Sequence, residues 1–145
     1  MKETLESENL YWMLLQVAFR AKHGLMKLAE AHDLTVMQLY TLCSMTPREP
    51  IPMNIISCML FCDASNVTGI VDRLLFGGYI AREEKPEDRR VKMITLTLKG
   101  EKLRKELLGT LSDYELPEFK GLTSNQQDEL KSLLAIILES PKIKY

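Results

Sequence analysis

The sequence has few of the residues that metal-binding, redox and disulfide-stabilised proteins depend on. Its 145 residues include only two His and three Cys. An odd cysteine count without the spacing of a disulfide framework fits a reducing compartment better than a secreted protein. Zinc usually takes four Cys or His ligands, and His23 and His32 lie on a different predicted helix from Cys43, Cys58 and Cys62. We therefore expect no metal and no cofactor, and interpret the cysteines as small buried residues whose redox role stays open.

Catalytic and membrane signals are also missing. The sequence contains no Gly-rich phosphate loop, no paired-carboxylate or Ser/His/Asp arrangement and no zincin signature, so we do not expect an enzyme. The longest uninterrupted apolar run, residues 133–138, is far shorter than the roughly 20 residues that cross a bilayer. The acidic start lacks the apolar stretch and cleavage site of a secretory signal. These absences predict a cytoplasmic protein with no membrane partner.

Glycine and proline are too few for a collagen-like or disordered chain. With 7 Gly, 6 Pro, 46% hydrophobic and 27% charged residues, the composition is that of a globular protein. A chain of this length normally forms one domain with a real core. We therefore predict a single domain over residues 1–145.

The net charge is only −1, which alone discourages a nucleic-acid partner because DNA affinity comes largely from cationic side chains. The charge is unevenly distributed along the chain, however. Residues 64–105 carry ten basic and six acidic side chains, and residues 89–105 carry seven basic residues against the single Glu101. This local excess of positive charge is the first indication of a DNA-binding segment.

Two long amphipathic helices are predicted at the ends of the chain. Apolar residues recur every three or four positions over residues 5–31, and a second such pattern follows a capping-box spacing at Thr123 and Gln126 and stops at Ser140-Pro141. Their apolar stripes exceed what the middle of the chain can cover, and exposing them singly would leave an adhesive surface. We therefore expect residues of about 1–33 and 110–145 to form dimerisation helices.

Between them, residues of about 34–109 predict three short helices followed by a β-hairpin. The helices are expected at 35–45 with Thr35 as N-cap, at 54–60, and from a cap at Asp63 or Ser65 to Gly77-Gly78. Strands are expected at 79–83 and 91–96, joined by a charged turn over 84–89, after which Thr97 caps another helix. This order is typical of a winged helix-turn-helix, so the predicted fold class is mainly α with a small β-hairpin wing.

The third short helix has the pattern of a recognition helix. If Val67, Ile70, Val71 and Leu74 face the core, the outward residues are Ser65, Asn66, Thr68, Gly69 and Arg73. Short polar groups and one cation on such a face suit contact with base edges and phosphates in the major groove. A solvated helix face gives the same pattern, and on the helix alone the two interpretations are equally good.

The hairpin turn favours the DNA-binding interpretation. It carries Asp88, Arg89 and Arg90, and an arginine on a protruding wing suits the narrow, electronegative minor groove. We expect Asp88 to orient Arg90 by a bidentate ion pair. A solvated charged turn is the alternative.

The stretch from Asp63 to Gly100 resembles the MarR-type winged-helix transcriptional regulators. The resemblance is carried by Ser65 to Leu74 (SNVTGIVDRL), by Gly78-Tyr79-Ile80, and by Asp88-Arg89-Arg90 followed at fixed distance by Leu96-Thr97-Leu98-Lys99-Gly100 (LTLKG). Long first and last helices extend it across nearly the whole chain. Phe61, in the turn where the family often has Gly, is a departure, as is the unusually apolar helix that precedes it.

The resemblance implies a homodimer on a pseudo-palindromic operator, with recognition helices in major grooves and wings in the flanking minor grooves. It also implies repression of nearby genes, relieved by a small aromatic or lipophilic ligand. Carried over position by position, the DNA contacts fall on Ser65, Asn66, Thr68, Arg73, Asp88, Arg89, Arg90 and Lys92. The ligand contacts that we assign are Trp12, Phe19 and His23. Trp12 and Phe19 also suit a dimer or domain core, and His23 also suits a polar surface or helix-end role.

A second function is compatible with these features. A winged-helix dimer without DNA binding would serve as a protein-interaction or ligand-binding module. Loss of the short polar residues and of the wing arginine would favour that function, and this sequence keeps both.

Overall fold

The computed structural model describes residues 9–60, 63–113 and 117–139. Within them the chain forms six α-helices and a three-stranded antiparallel sheet, which confirms the predicted fold class. In chain order the elements are α1 (Leu10–Ala31), α2 (Val36–Ser44), β1 (Ile51–Pro52), α3 (Met53–Leu60), α4 (Ala64–Phe76), β2 (Ile80–Lys85), β3 (Asp88–Leu96), α5 (Leu98–Asp113), a 3-10 helix (Pro117–Gly121) and α6 (Ser124–Glu139).

The chain divides into two compact units, Met1–Asp113 and Tyr114–Tyr145. The first contains α1 to α5 and the sheet, and it includes the whole segment that we predict to bind DNA. The second contains the 3-10 helix and α6. The single domain over 1–145 stays a prediction.

The first unit is built around the apolar sides of α2, α3, α4 and the sheet. Leu42, Ile56 and Ile94 are fully buried there, together with three residues of α4: Val67, Val71 and Leu74. The C-terminal part of α1 joins this core through Ala29, with Leu25 and Leu28 packed against it. The 3.6-residue period therefore identified the inward side of α4 correctly.

Side-chain caps explain where several helices begin. Asn9 accepts a hydrogen bond from the Trp12 backbone N–H at the start of α1, and Thr35 and Gln38 form a reciprocal capping box at α2. For α4 the expected cap is wrong in part, because Asp63 occupies the N-cap position without a side-chain hydrogen bond. The start of the predicted first helix at residue 5, the break at Phe61 and the stop at Ser140-Pro141 lie outside the described residues.

The sheet differs from the sequence prediction in two ways. Its order is β1-β3-β2, and the two-residue strand β1 was not predicted because a pair of residues carries no periodicity. The hairpin strands are also longer than expected, with only Pro86 and Glu87 left in the turn. Residues 84, 85 and 88–90 belong to the strands and not to a loop. Charged side chains give no β signal, although the backbones of Glu84 and Lys85 pair with those of Lys92 and Asp88.

The second unit begins its long helix as predicted. Thr123 accepts from the Gln126 backbone N–H at 3.3 Å, and the Gln126 side chain accepts from the Thr123 backbone N–H at 2.9 Å. The 3-10 helix before it was not predicted. No residue of α6, all of which the structure describes, is buried in the chain itself.

No single helix among the described residues is long and apolar enough to cross a membrane. Only the bent pair α3 and α4, taken together, reaches the required length and composition, and both helices bury side chains in the core.

Candidate nucleic-acid interface

Helix α4 presents a polar, exposed side away from the core. Ser65, Asn66, Thr68, Gly69 and Arg73 are all exposed on it, as the helical period predicted. Near the N-terminus of the helix these side chains are short, which leaves the backbone close to the surface. A helix with this profile fits the major groove, where hydrogen-bonding atoms identify each base pair.

The hydrogen bonds and ion pairs around α4 show which polar atoms of Thr68 and Arg73 remain available to a ligand. The Thr68 hydroxyl donates to the Ala64 carbonyl at 2.9 Å, so its proton is used within the helix and its methyl group and oxygen lone pair remain for a ligand. Arg73 has no ion-pair partner among the described residues. Its neighbour Asp72 instead lies 3.8 Å from Arg82 of β2, a contact that sequence reasoning missed. The guanidinium of Arg73 is therefore available for phosphate or guanine.

The wing holds Arg90 in the expected ion pair. The Asp88 carboxylate accepts from Arg90 Nε at 3.0 Å, from Arg90 Nη2 at 3.2 Å and from the Arg90 backbone N–H at 3.1 Å. These hydrogen bonds lower the pKa of Asp88, so the carboxylate stays charged. The side chain of Arg90 is nonetheless 91% exposed. An oriented guanidinium therefore projects from the wing with most of its surface open to a ligand.

The other two basic residues of the wing differ from each other. Arg89 is exposed and has no ion-pair partner among the residues that the structure describes, which suits a phosphate contact. Lys92 is half-buried and donates to the Glu84 carboxylate across the hairpin at 2.6 Å. Part of its charge is thus neutralised by the protein itself, which the sequence pattern did not show.

Contacts between the end of α4 and the start of α5 fix the recognition helix relative to the wing. Lys99 Nζ donates to the Gly77 carbonyl at 2.6 Å and lies 4.6 Å from the centre of the Tyr79 ring. The Thr97 hydroxyl donates to the Gly78 carbonyl at 2.6 Å and accepts from the Gly100 backbone N–H at 3.1 Å. Thr97, Lys99 and Gly100 belong to the LTLKG signature, so the sequence contained the signal. Their role in joining the end of α4 to the start of α5 was not predicted.

The three residues predicted to contact a ligand share one side of α1. Trp12, Phe19 and His23 are spaced by seven and four residues, which places them on one helix face, and all three are exposed. The described part of the chain does not enclose them in a cavity. Their role in ligand binding stays a prediction.

The cysteines do not all match the expected burial. Cys43 is half-buried, and burial raises the pKa of its thiol although the positive charge of Arg104 opposes the effect. Cys58 is exposed, so the expectation of a buried residue was wrong there, because α3 turns it away from the core. Cys62 lies outside the described residues. Within the described ranges no cluster of three or more metal-ligating side chains is present.

Comparisons with known proteins agree with this geometry. The model of the MarR family matches residues 34–92. The transcriptional regulator YkoM of Bacillus subtilis is 25% identical over 133 residues, which cover 92% of this chain and 86% of YkoM. The transcriptional repressor MprA of Escherichia coli is 27% identical over 117 residues, covering 81% and 66% of the two chains.

A solved structure extends the similarity to most of the chain. The crystal structure of apo MarR from Escherichia coli superposes with a TM-score of 0.77 at 26% sequence identity, covering 90% of this chain and 96% of MarR. The residues that the family model matches include all of α4 and most of the hairpin. These similarities and the winged-helix geometry support a DNA-binding transcriptional regulator of the MarR type.

Proposed function

We propose that the chain acts as a homodimeric repressor that binds a pseudo-palindromic operator and is released by a small aromatic or lipophilic ligand. The observation that carries the proposal is the oriented Arg90 on the wing, positioned on the same unit as the exposed polar side of α4. The name of the related MprA supports the repressor role.

Each protomer would contact DNA at two places. The short residues at the N-terminus of α4 would lie against base edges in the major groove, with Arg73 on a phosphate or a guanine edge. Arg90 would enter the flanking minor groove, where a narrow width concentrates negative potential. Because the chain as a whole is nearly neutral, affinity would depend on these placed contacts and not on bulk charge.

The dimer is supported by apolar surface that the chain leaves uncovered. On α1, Leu10, Leu14 and Val17 are exposed, with Leu10 at 78%. On α6, Leu133, Ile137 and Leu138 are exposed as well. Apolar surface of this extent is typical of protein interfaces. We expect analytical ultracentrifugation at micromolar concentration to give a dimer, and a monomer would contradict this part of the proposal.

The ligand part of the proposal rests on the exposed aromatic face of α1 and on the family resemblance. A thermal-shift screen with small aromatic acids tests it, because a specific ligand raises the apparent stability by mass action. A hit whose shift is lost in Phe19→Ala would support the assignment. A hit that also lowers operator affinity would support release.

DNA binding is tested by fluorescence anisotropy with the duplex upstream of the chain's own gene. Arg90→Ala should weaken binding to all sequences and reduce the slope of log affinity against log salt by about one unit per wing. Arg73→Ala should also relax sequence preference if the residue reads a base. Arg20→Ala, which removes the same charge from the exposed surface of α1, serves as the control.

Equal affinity of wild type and Arg90→Ala would reject the wing contact. A wild-type chain without salt-sensitive, sequence-preferring binding would reject operator binding altogether, and a non-DNA-binding interaction module would then be the better description.

A further inference from the structure

Gly69 lies in the middle of α4, on its exposed side. Among the described residues, no atom lies within 4 Å of a Cβ built on it, so they give no steric reason for glycine there. Its φ is not positive, so an L-amino acid with a side chain would fit the helical backbone. In a helix interior, glycine is less favourable than alanine, and only proline is less favourable than glycine.

Three other glycines of the same unit have clear structural roles, whereas Gly109 of α5 is as open as Gly69. A Cβ on Gly77 would lie 2.7 Å from Cε2 of the Tyr79 ring, and Gly78 has a φ of +71°. A Cβ on Gly100 would overlap with the Tyr79 carbonyl. Gly69 shares neither the crowding nor the backbone conformation. Within the described residues nothing requires glycine at position 69, so any such requirement comes from a partner of the exposed side of α4.

The neighbours of Gly69 on the same helix face change in length along α4. Ser65, one turn before it, is short, whereas Asp72 and Phe76 follow at three and seven residues. Asp72 is paired with Arg82, and Phe76 is 96% exposed. The exposed side therefore carries only short side chains before Gly69 and the large, exposed Phe76 at its C-terminal end.

We propose that Gly69 is a specificity-determining residue, which lets the α4 backbone make van der Waals contact with base edges of the operator in the major groove. The inference rests on the proposed DNA-binding function and adds the depth at which the helix enters the groove. Glycine is the residue that permits such close approach of backbone to a ligand. A side chain at position 69 would hold the helix away from the bases, so that Ser65, Asn66 and Thr68 lose their reach.

The proposal predicts opposite effects of one substitution on stability and on binding. Gly69→Ala should raise Tm by about 3 °C, because alanine favours the helix and its methyl group meets no neighbour. The same variant should lose roughly ten-fold or more in affinity for the operator duplex, since base contacts are lost. Affinity for a scrambled duplex should change little, and Gly69→Leu should lose more than Gly69→Ala.

Gly109→Ala is the matched control. Gly109 is an exposed glycine in the interior of α5, and a Cβ there also meets nothing within 4 Å. This variant should gain a similar Tm and keep the operator affinity of the wild type. Both variants are first checked for an unchanged sedimentation coefficient, so that the comparison is made between equal assemblies.

Three results would overturn the inference. Gly69→Ala with wild-type operator affinity would show that the backbone does not approach the bases closely. An equal affinity loss in Gly109→Ala would show that the effect does not come from the α4 face. If the wild-type chain prefers no duplex, the proposed DNA-binding function itself is refuted. This result is distinguishable from failure of the Gly69 proposal because it is seen before any variant is measured.

Discussion

Replacing Gly100 by alanine should destabilise the protein, although alanine is the better helix former. Gly100 is buried in the first turn of α5, beside the Tyr79 carbonyl. An added Cβ would overlap with that carbonyl oxygen, lie 2.9 Å from the carbonyl carbon and lie 3.2 Å from Cδ2 of Leu96. The first two contacts are with backbone, which cannot rotate away as a flexible side chain would.

The size of the effect follows from three contributions. Helix propensity favours alanine by about 1 kcal/mol. Overpacking costs about 1–3 kcal/mol. Moving Tyr79 also disturbs the hydrogen bond that its carbonyl accepts from the Thr97 backbone N–H at 3.1 Å, worth about 1 kcal/mol. The net loss in the free energy of unfolding is about 2 kcal/mol, which lowers Tm by about 6 °C for a chain of this length.

The assay is urea unfolding followed by far-UV circular dichroism at one fixed protomer concentration, because a dimer's apparent stability depends on concentration. Gly109→Ala in the same helix is the control, since it gains the helix propensity without the overlap. If Gly100→Ala unfolds at the same urea concentration as Gly109→Ala, the steric reasoning is refuted, and the glycine of the LTLKG signature needs another explanation.

Three further predictions follow from other contacts. Asp88→Asn should weaken operator binding although it removes a negative charge, because Arg90 loses its orientation; tighter binding in anisotropy titrations would contradict this. Since Arg90 lowers the pKa of Asp88, the ion pair is lost only as the pH falls through that lowered value. The difference in operator affinity between the wild type and Asp88→Asn should therefore be constant over about pH 6 to 8. Peptide mapping after iodoacetamide treatment should show faster labelling of exposed Cys58 than of Cys43, whose raised pKa keeps it protonated at neutral pH; equal rates would show that burial does not protect Cys43. Thr35→Ala should lower the free energy of unfolding by about 1 kcal/mol, because the α2 capping box is removed, and an unchanged urea midpoint would argue against the cap.

Local sequence patterns predicted the elements that have their own periodicity or caps. The apolar spacing of α4 gave its inward side, and the capping boxes at Thr35 and Thr123 gave the starts of two helices. The Asp-Arg-Arg run predicted the ion pair between Asp88 and Arg90. In each case the interacting groups are separated by four residues or fewer, so the short segment contains both partners.

Features that depend on distant residues were missed. Strand β1 is two residues long and exists only because Ile51 and Pro52 lie opposite Ile94 and Met93. The neutralisation of Lys92 requires Glu84, eight residues away on the neighbouring strand. The extent of the hairpin was underestimated for the same reason, because pairing of the backbone, and not the character of the side chains, extends its strands.

The sequence by itself determined the fold class, the order of the winged helix-turn-helix and the side of α4 that faces outward, because periodicity and caps are local properties of the chain. Only the tertiary structure decided which cations are free and which glycines are necessary. Arg73 is available while Lys92 is paired. Gly100 is required by the neighbouring Tyr79, while a Cβ on Gly69 would meet no described atom within 4 Å. Pairing and crowding depend on residues brought together from different segments, and these are the properties that distinguish a residue kept for folding from one available to DNA.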